Sequence, residues 1–225
     1  VWVGTGNFLG IGSGGLVHYH ADGRWEVLIQ AHAGLPHNEV ISLATDNVGD
    51  IWVGTEEGGL GHLTANGTWE VFDQNAGLPS NRITALLNDG RYMWAGTTHI
   101  GTVTGGLARR EASGNWNVLT GLPHTDVYSL AADSLGGIWV GTAGGLAHLM
   151  VEGTWESNLP TDSVCALLGD QQGGVWMAVD GVAHLNAART VTPFHTGNSP
   201  LPDNWVTTLL DDGLGGHWIG MEKAV

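Results

Sequence analysis

The chain has 225 residues, of which 42% are hydrophobic and 13% are charged, and it contains 37 glycines and 11 tryptophans. Seven lysines and arginines stand against 22 aspartates and glutamates, which gives a formal net charge of −15. This balance excludes a disordered chain, which needs low hydrophobicity, and argues against a nucleic-acid partner, whose binding needs basic side chains.

Cys165 is the only cysteine, so neither an intrachain disulfide nor a multi-cysteine metal site can form. No stretch of about 18 apolar residues predicts a membrane span. We predict no cofactor and no metal site. The sequence begins inside a repeated motif, and we expect it to be a processed or partial segment of a longer protein.

A Trp-centred pentapeptide recurs along the chain, at 1–5, 51–55, 93–97, 138–142, 175–179 and 217–221. The tryptophans of successive copies are 50, 42, 45, 37 and 42 residues apart, and such a period is typical of a propeller blade. We therefore predict an all-β fold, a β-propeller of about five to six four-stranded blades, as a single domain over 1–225. The predicted repeats are approximately 1–29, 30–72, 73–119, 120–157, 158–195 and 196–225.

Each complete repeat opens with a Leu-Pro turn, as at Leu35-Pro36. An apolar first strand follows, and we expect these strands at 40–44, 83–87, 127–131, 164–168 and 206–210. Because their apolar character is almost continuous, we expect both faces of each first strand to be buried. An Asp-x-x-Gly sequence, which is typical of a β-turn, then leads into the Trp strand.

Gly-Gly-Leu opens the third strand in four repeats, and pairs such as Asp-Gly and Asn-Gly join it to the outer strand, which is a strong hairpin signal. A second tryptophan lies two residues beyond that glycine, at Trp25, Trp69, Trp116 and Trp155. Ten of the 11 tryptophans occupy the two repeated positions. We interpret these ten as core or inter-blade packing.

The succession of Gly-Leu-Pro, Asp-x-x-Gly-x-Ile-Trp-Val-Gly-Thr and Gly-Gly-Leu resembles the two-component regulator propeller repeat. The match is nearly complete over 34–60 and over 121–146, whereas the copy at 175–179 departs most. The resemblance implies a propeller of the kind that forms the extracytoplasmic sensor part of membrane histidine kinases, and that also occurs in secreted and surface proteins. We therefore expect a periplasmic, secreted or cell-surface location, although such a motif specifies fold far better than function.

The predicted strands are too many for five closed blades and too few for six. In one arrangement, the strand at 206–210 pairs with the N-terminal Trp strand by strand exchange between the termini, and 217–225 is surplus. In the other arrangement the end blades are incomplete. Incomplete blades expose unpaired strand edges, which could bind a protein partner or mediate self-association.

Four histidines share one third-strand position, namely His18, His62, His148 and His184. Equivalent positions on different blades stand far apart, so these side chains cannot converge on one zinc ion. We interpret them as repeated packing or hydrogen-bonding groups.

A binding site is expected where the repeats differ. At the start of the first strands the repeats carry, in register, Glu39, Arg82, Asp126, Ser163 and Trp205. His37 and His124 lie two residues before two of these positions, and His99 lies in an enlarged loop at 98–104. A second enlarged loop is expected at 6–13. We predict that these eight residues line a polar pocket at the axial mouth, which binds a small polar ligand, a glycan or a peptide; a water-filled channel is the alternative.

Three functions fit the sequence. The first is a non-catalytic ligand-binding or protein-interaction propeller, and the second is a structural or assembly module of a surface or filament protein. The third is a propeller lyase or hydrolase that uses His124 with Asp126, or His37 with Glu39, for acid–base chemistry. Because no nucleophile motif accompanies these pairs, we predict that the chain is not an enzyme.

Overall fold

The structure is a computed structural model that describes residues 1–6, 14–156 and 159–222. It divides into two compact units, Val1–Thr120 and Gly121–Val225, so the single domain over 1–225 stays a prediction. Within the described ranges, no helix has the length and apolar character needed to cross a bilayer. Residues 7–13 of the enlarged loop predicted at 6–13 lie outside these ranges.

The first unit contains three antiparallel sheets in which consecutive strands pair. The first sheet consists of β1 (Trp2–Thr5), β2 (Gly15–Tyr19) and β3 (Trp25–Leu28). The second consists of β4 (Val40–Thr45), β5 (Ile51–Thr55), β6 (Leu60–Leu63) and β7 (Trp69–Phe72). The third consists of β8 (Arg82–Asn88), β9 (Met93–Thr98), β10 (Gly106–Arg110) and β11 (Trp116–Leu119). A one-turn helix, α1 (Gln30–Ala33), precedes the second sheet, and a 3-10 turn (Gln74–Ala76) precedes the third.

The second unit continues the pattern with three more sheets. The fourth sheet consists of β12 (Val127–Ala132), β13 (Ile138–Thr142) and β14 (Gly145–Leu149). The fifth consists of β15 (Ala166–Gly169), β16 (Val175–Val179), β17 (Gly181–Leu185) and β18 (Val191–Phe194). The sixth consists of β19 (Val206–Asp211) and β20 (His217–Met221). Where the fourth sheet was expected to have an outer strand, Trp155 forms a single bridge to Leu149, and 157–158 lie outside the described residues.

These meanders of up to four strands confirm the all-β, propeller-blade prediction. The strand predicted at 206–210 pairs with β20, and the N-terminal Trp strand pairs with β2. In the described parts of the chain, the sheets at its two ends therefore have two and three strands. This is the second of the two predicted arrangements, with incomplete end blades.

In the second, third and fourth sheets the Trp strand, and not the first strand, is buried throughout. Every residue of β5, β9 and β13 is buried, whereas β4, β8 and β12 mix buried residues with partly or fully exposed ones. The expectation that first strands are buried on both faces is therefore wrong. A first strand forms the edge of its sheet, whereas the Trp strand has a paired strand on each side.

The glycine of the Trp-Val-Gly-Thr motif allows neighbouring sheets to approach closely. A Cβ atom on Gly54 of β5 would lie 2.6 Å from the carbonyl oxygen of Ile83 in the third sheet. A Cβ atom on Gly141 of β13 would lie 2.8 Å from the carbonyl oxygen of Val164. Glycine is therefore the residue that fits where one backbone meets another at this position.

The threonine of the motif holds the turn that follows. The hydroxyl of Thr55 donates to the carbonyl oxygen of Gly59 at 2.7 Å, and that of Thr142 donates to Gly145 at the same distance. The hydroxyl thus satisfies a carbonyl at the point where the chain reverses into the third strand.

An indole from the outer strand closes the gap between the second and third sheets. Trp116, the first residue of β11, is 7% exposed and lies edge-on to Trp52 of β5, with ring centroids 6.2 Å apart. The ring of Phe72, at the end of β7, is 6.0 Å from the same indole. Both repeated tryptophan positions are therefore packing positions here, as the sequence predicts.

Candidate functional site

The eight predicted site residues are divided between the two units. The first unit contains His37, Glu39, Arg82 and His99, and the second contains His124, Asp126, Ser163 and Trp205. Each group has its own local geometry.

Arg82 is paired with an acid that the sequence analysis missed. Its Nε donates to Oε2 of Glu56 at 3.1 Å, and its Nη2 lies 3.0 Å from Oε1. The backbone N–H of Glu56 donates to the carbonyl oxygen of Glu39 at 3.0 Å, so these three residues lie together. A two-point ion pair fixes the guanidinium plane. The signal in the sequence was the glutamate directly after the Trp-Val-Gly-Thr motif of the second repeat, where the first, third and fourth repeats have no acid.

His37 and His124 hold the turns that begin their first strands. The N–H of Glu39 donates to Nδ1 of His37 at 3.2 Å, and the N–H of Asp126 donates to Nδ1 of His124 at 3.0 Å. The side chains at the same position in two other repeats accept the equivalent N–H. A neutral ring that accepts at Nδ1 has its proton on Nε2, which is then a donor.

His99 is exposed at the start of the enlarged loop at 98–104. Within that loop Ile100 and Val103 form a tight bridge through two backbone hydrogen bonds of 3.0 Å. The loop is therefore ordered by its own backbone and presents the imidazole at the surface.

The repeated histidines stack on the tryptophans of the motif. The stacked pairs are Trp2–His18, Trp52–His62, Trp139–His148 and Trp176–His184, with ring centroids 3.9, 4.0, 3.7 and 4.3 Å apart. In the third sheet Arg109 takes this place, with its guanidinium carbon 5.5 Å from the ring of Trp94. These side chains are the packing groups that the sequence predicts.

Two groups of acids and histidines bring ligand-type atoms within 4.8 Å of one another in the described residues, namely His18, His20 and Glu26, and Asp46, Asp50 and His62. In the second group Asp46 Oδ1 accepts the N–H groups of Val48 and Asp50 at 3.0 Å, and its Oδ2 accepts the indole N–H of Trp52 at 3.2 Å. Burial alone would raise the pKa of Asp46, but these hydrogen bonds outweigh burial and lower it. Asp46 is thus already engaged in holding the turn and the indole.

The second unit contains a cavity of about 810 Å³ that brings together two predicted site residues, Ser163 and Trp205. Three aspartates also line it, namely Asp162, Asp180 and Asp203, and its described lining includes no basic side chain. Carboxylates of one sign in a concave site create a negative potential. We call this the Trp205 cavity.

The backbone around Trp205 is fixed although its indole is 64% exposed. Its N–H donates to Oδ1 of Asp203 at 2.9 Å, and its carbonyl oxygen accepts the N–H of Glu222 at 3.1 Å. It also forms an isolated bridge with Asp180. The structure therefore holds the backbone of Trp205 at a defined place, with its indole largely exposed and the carboxylate of Asp203 bound to its N–H.

Comparison with protein families identifies the repeats. Residues 34–57, 77–99 and 121–144 match the sequence profile of the two component regulator propeller. These segments are two-component regulator propeller repeats. The resemblance inferred from the Gly-Leu-Pro and Trp-Val-Gly-Thr motifs is thereby confirmed. No curated protein matches the sequence.

Solved propeller structures align with nearly all of the chain. The extracellular domain of a protein described as a hybrid two component system from B. thetaiotaomicron aligns with a TM-score of 0.77 at 20% identity, over 92% of this chain and 29% of that one. PorZ, a surface component of the type-IX secretion system of Porphyromonas gingivalis, aligns with 0.71 at 19%, over 93% and 35%. Virginiamycin B lyase from Staphylococcus aureus aligns with 0.71 at 13%, over 93% and 71%. Identities this low show the fold alone, and the chain spans less than half of the first two proteins.

The Trp205 cavity lies where the fifth propeller repeat departs from the others. In the second repeat Trp69 begins the outer strand opposite Leu63. In the fifth repeat Val191 occupies this register position, opposite Leu185. The fifth repeat therefore lacks the outer indole.

The missing indole explains much of the cavity. In the second repeat a Cβ atom on Gly61 would lie 2.7 Å from the ring of Trp69 and 3.0 Å from Pro36, so the indole lies over the third strand and the Leu-Pro turn. The matching residues of the fifth repeat, Ala183 and Pro160, line the Trp205 cavity together with Val191. A valine is too small to fill the space that the indole of Trp69 fills in the second repeat. The absence of this tryptophan from the fifth repeat was the sequence signal for the site.

Proposed function

We propose that this chain is the ligand-binding part of an extracytoplasmic sensor and that the Trp205 cavity binds its ligand. The observation that carries the proposal is that a cavity of about 810 Å³, with an open indole and three carboxylates, lies at the repeat that departs from the pattern. The propeller repeats of two-component regulators and the likeness to an extracellular two-component domain support the sensor role. In a scaffold whose packing residues are the same in every repeat, the residues that bind a ligand are expected at the positions that differ between repeats.

The lining favours a ligand that donates hydrogen bonds or carries positive charge. Asp162, Asp180 and Asp203 offer acceptors only, and an anionic ligand would be repelled by them. The exposed face of Trp205 is a flat apolar surface suited to a sugar ring or an organic cation. The volume is that of a small-molecule site. We therefore expect a neutral glycan unit or a small amine.

A binding role without catalysis is supported by the two histidines considered for acid–base chemistry. His37 and His124 each accept a backbone N–H at Nδ1, so their neutral rings have no free basic nitrogen to take a proton from a substrate. Roles in ligand binding for these residues, and for Glu39, Arg82, His99 and Asp126, stay predictions.

Replacing Trp205 by alanine is expected to weaken ligand binding at least about tenfold, because an exposed aromatic face in a pocket commonly provides a large share of the binding energy. Cys165 is exposed and lines the same cavity, so an environment-sensitive dye on this thiol reports occupancy. The labelled chain is screened against neutral glycans, amines and organic acids, and each hit is measured on unlabelled protein by calorimetry.

Trp25→Ala is the matched control, because Trp25 is 65% exposed and lies in the other unit. This variant should bind as the native chain does, and organic acids should not bind. If Trp205→Ala bound every hit with unchanged affinity, the Trp205 cavity would not be the ligand site.

A further inference from the structure

The turn between β4 and β5 carries an aspartate that the matching turns lack. In the second repeat this turn begins at Asp46 and ends at Asp50, directly before the Trp strand. The fourth, fifth and sixth repeats begin their turns with the same aspartate but end them with glycine, at Gly137, Gly174 and Gly216. Asp50 therefore adds a second carboxylate where these three repeats have no side chain.

Two carboxylates face one ring nitrogen of His62, on β6. Nε2 of this histidine lies 3.2 Å from Oδ2 of Asp50 and 3.7 Å from Oδ2 of Asp46. The His62 side chain is only 9% exposed, and its Nε2 is buried and makes no hydrogen bond with any residue that the structure describes. A buried polar atom in this condition needs an explanation, and a bound ion is one of the few available.

The same nitrogen is hydrogen-bonded in the repeats that have glycine in place of Asp50. Nε2 of His148 lies 3.0 Å from Oδ2 of Asp133 in the fourth repeat, and Nε2 of His184 lies 2.8 Å from Oδ2 of Asp170 in the fifth. Each of these histidines meets a single turn aspartate at hydrogen-bond distance. The nitrogen without a hydrogen bond therefore accompanies the second carboxylate.

The other ring nitrogen and the ring face fix the orientation of His62. Nδ1 lies 3.3 Å from Oε2 of Glu70, and because a carboxylate only accepts, the hydrogen is on Nδ1. The ring stacks on the indole of Trp52, with planes 12° from parallel. The lone pair of the neutral ring is then on Nε2, which faces the two aspartates. Histidines that bind metal ions commonly donate their other N–H to a carboxylate in this way.

Both aspartates are held in place by neighbouring N–H groups. Oδ1 of Asp50 accepts the N–H of Ala65 at 2.8 Å, so Oδ2 is the oxygen that faces His62. Oδ2 of Asp46 accepts the indole N–H of Trp52 at 3.2 Å, and a carboxylate oxygen has a second lone pair for a further contact. The three atoms that face one another are therefore positioned by the fold itself.

The distances between these atoms fit one zinc ion. Zn–N and Zn–O bonds are about 2.0–2.2 Å long, so two ligand atoms of a tetrahedral zinc lie about 3.4 Å apart. The two distances from Nε2, 3.2 and 3.7 Å, lie on either side of this value, and all three atoms are within 4.8 Å of one another. Calcium and magnesium take sets of oxygen ligands, whereas a histidine nitrogen favours a transition metal.

We propose that His62, Asp46 and Asp50 bind a divalent transition-metal ion of the zinc type, with Nε2 and the two Oδ2 atoms as ligands and water at the remaining position. The charge of the ion balances the two carboxylates, and the ion links the turn between β4 and β5 to β6. All three ligands belong to the second repeat, so the distance between histidines of different blades does not prevent this site. The proposal is independent of the Trp205 cavity, which lies in the other unit.

The test is a calorimetric titration of zinc chloride into the full chain after treatment with a chelator. We expect one zinc ion to bind per chain and to raise the melting temperature, because the ion binds the folded state. Asp50→Asn removes a charged ligand but keeps an acceptor for the N–H of Ala65. This variant should bind zinc at least about tenfold more weakly, since even the loss of an outer partner of a metal ligand commonly costs that much.

Two further variants locate the ion. Asp50→Gly introduces the residue that the fourth and fifth repeats have at this position, and it should show a similar loss in a chain that folds. His20→Ala is the matched control, because His20 belongs with His18 and Glu26 to the other group of close ligand-type atoms. It should bind zinc as the native chain does. The circular dichroism spectrum of each variant checks that it is folded.

Three results would overturn the proposal. The first is the absence of a one-ion zinc site in the folded native chain, which would show that His62 is held by its carboxylates alone. The second is equal zinc affinity in the native chain and in both Asp50 variants. The third is a loss of zinc binding in His20→Ala with none in the Asp50 variants, because the ion would then be bound by the first sheet.

Discussion

Replacing Trp139 by alanine is expected to lower the free energy of unfolding by about 3–5 kcal/mol, the usual cost of removing a large buried aromatic side chain. Trp139 is fully buried in the core cluster of the fourth and fifth sheets. Its ring stacks on His148 at 3.7 Å, and the guanidinium carbon of Arg189 lies 5.1 Å from it. Neither neighbour can collapse into the space without losing its own polar contacts. Urea unfolding followed by circular dichroism measures the effect.

Trp218 provides a matched control for this prediction. It occupies the same motif position in the sixth repeat but is 69% exposed, so Trp218→Ala should cost less than about 1 kcal/mol. Equal losses in the two variants would show that the motif tryptophan stabilises the chain locally and that packing between sheets contributes little.

Replacing His148 by alanine is expected to lower the free energy of unfolding by about 3–5 kcal/mol, because it leaves a buried carboxylate without its partner. Nε2 of His148 lies 3.0 Å from Oδ2 of Asp133, and Nδ1 lies 2.7 Å from Oε2 of Glu156. The side chains of His148 and Asp133 are only 3% and 2% exposed. Thermal unfolding and urea unfolding at pH 7 measure the loss.

The same contacts make stability depend on acid pH. Burial alone would raise the pKa of Glu156, but hydrogen bonds from Arg189 and His148 outweigh burial and lower it. A carboxyl whose pKa is lowered by folding contributes stability that is present above its unfolded pKa and is lost as the pH falls through its folded pKa. The difference between the native chain and His148→Ala should therefore shrink as the pH falls below about 4.

His20→Ala is the control for the histidine prediction. His20 also meets a carboxylate, with Nε2 2.9 Å from Oε2 of Glu26, but the two side chains are 21% and 42% exposed. An ion pair open to solvent contributes about 0–1 kcal/mol. A loss in His148→Ala no greater than that in His20→Ala would contradict the assignment of a buried network.

The fold could be predicted because the motif residues each meet a physical demand that recurs in the second, third and fourth repeats. Tryptophan fills the space between sheets, glycine allows close backbone contact, and threonine holds the turn. The burial of the first strands could not be predicted in the same way. An apolar run shows that a strand is near a core, but it does not show that the strand lies at a sheet edge.

The candidate site was harder to predict because residues at the same register position in different repeats can have different roles. Arg82 and Trp205 occupy the same register position, yet Arg82 pairs with Glu56 whereas Trp205 is open to solvent. The acid that pairs with Arg82 comes from a neighbouring repeat, 26 residues away in the chain. The more useful signal was an absence, namely the valine at position 191 where other repeats have tryptophan.

The most direct test of the account is the ligand affinity of Val191→Trp, measured by calorimetry with a hit from the screen. The substitution restores the indole that the second repeat has at this register position, and the melting temperature of the variant checks that it is folded. We predict that ligand binding falls at least about tenfold, as expected when a pocket loses the volume its ligand occupies. A Val191→Trp chain that is folded and binds the ligand as tightly as the native chain would contradict the account.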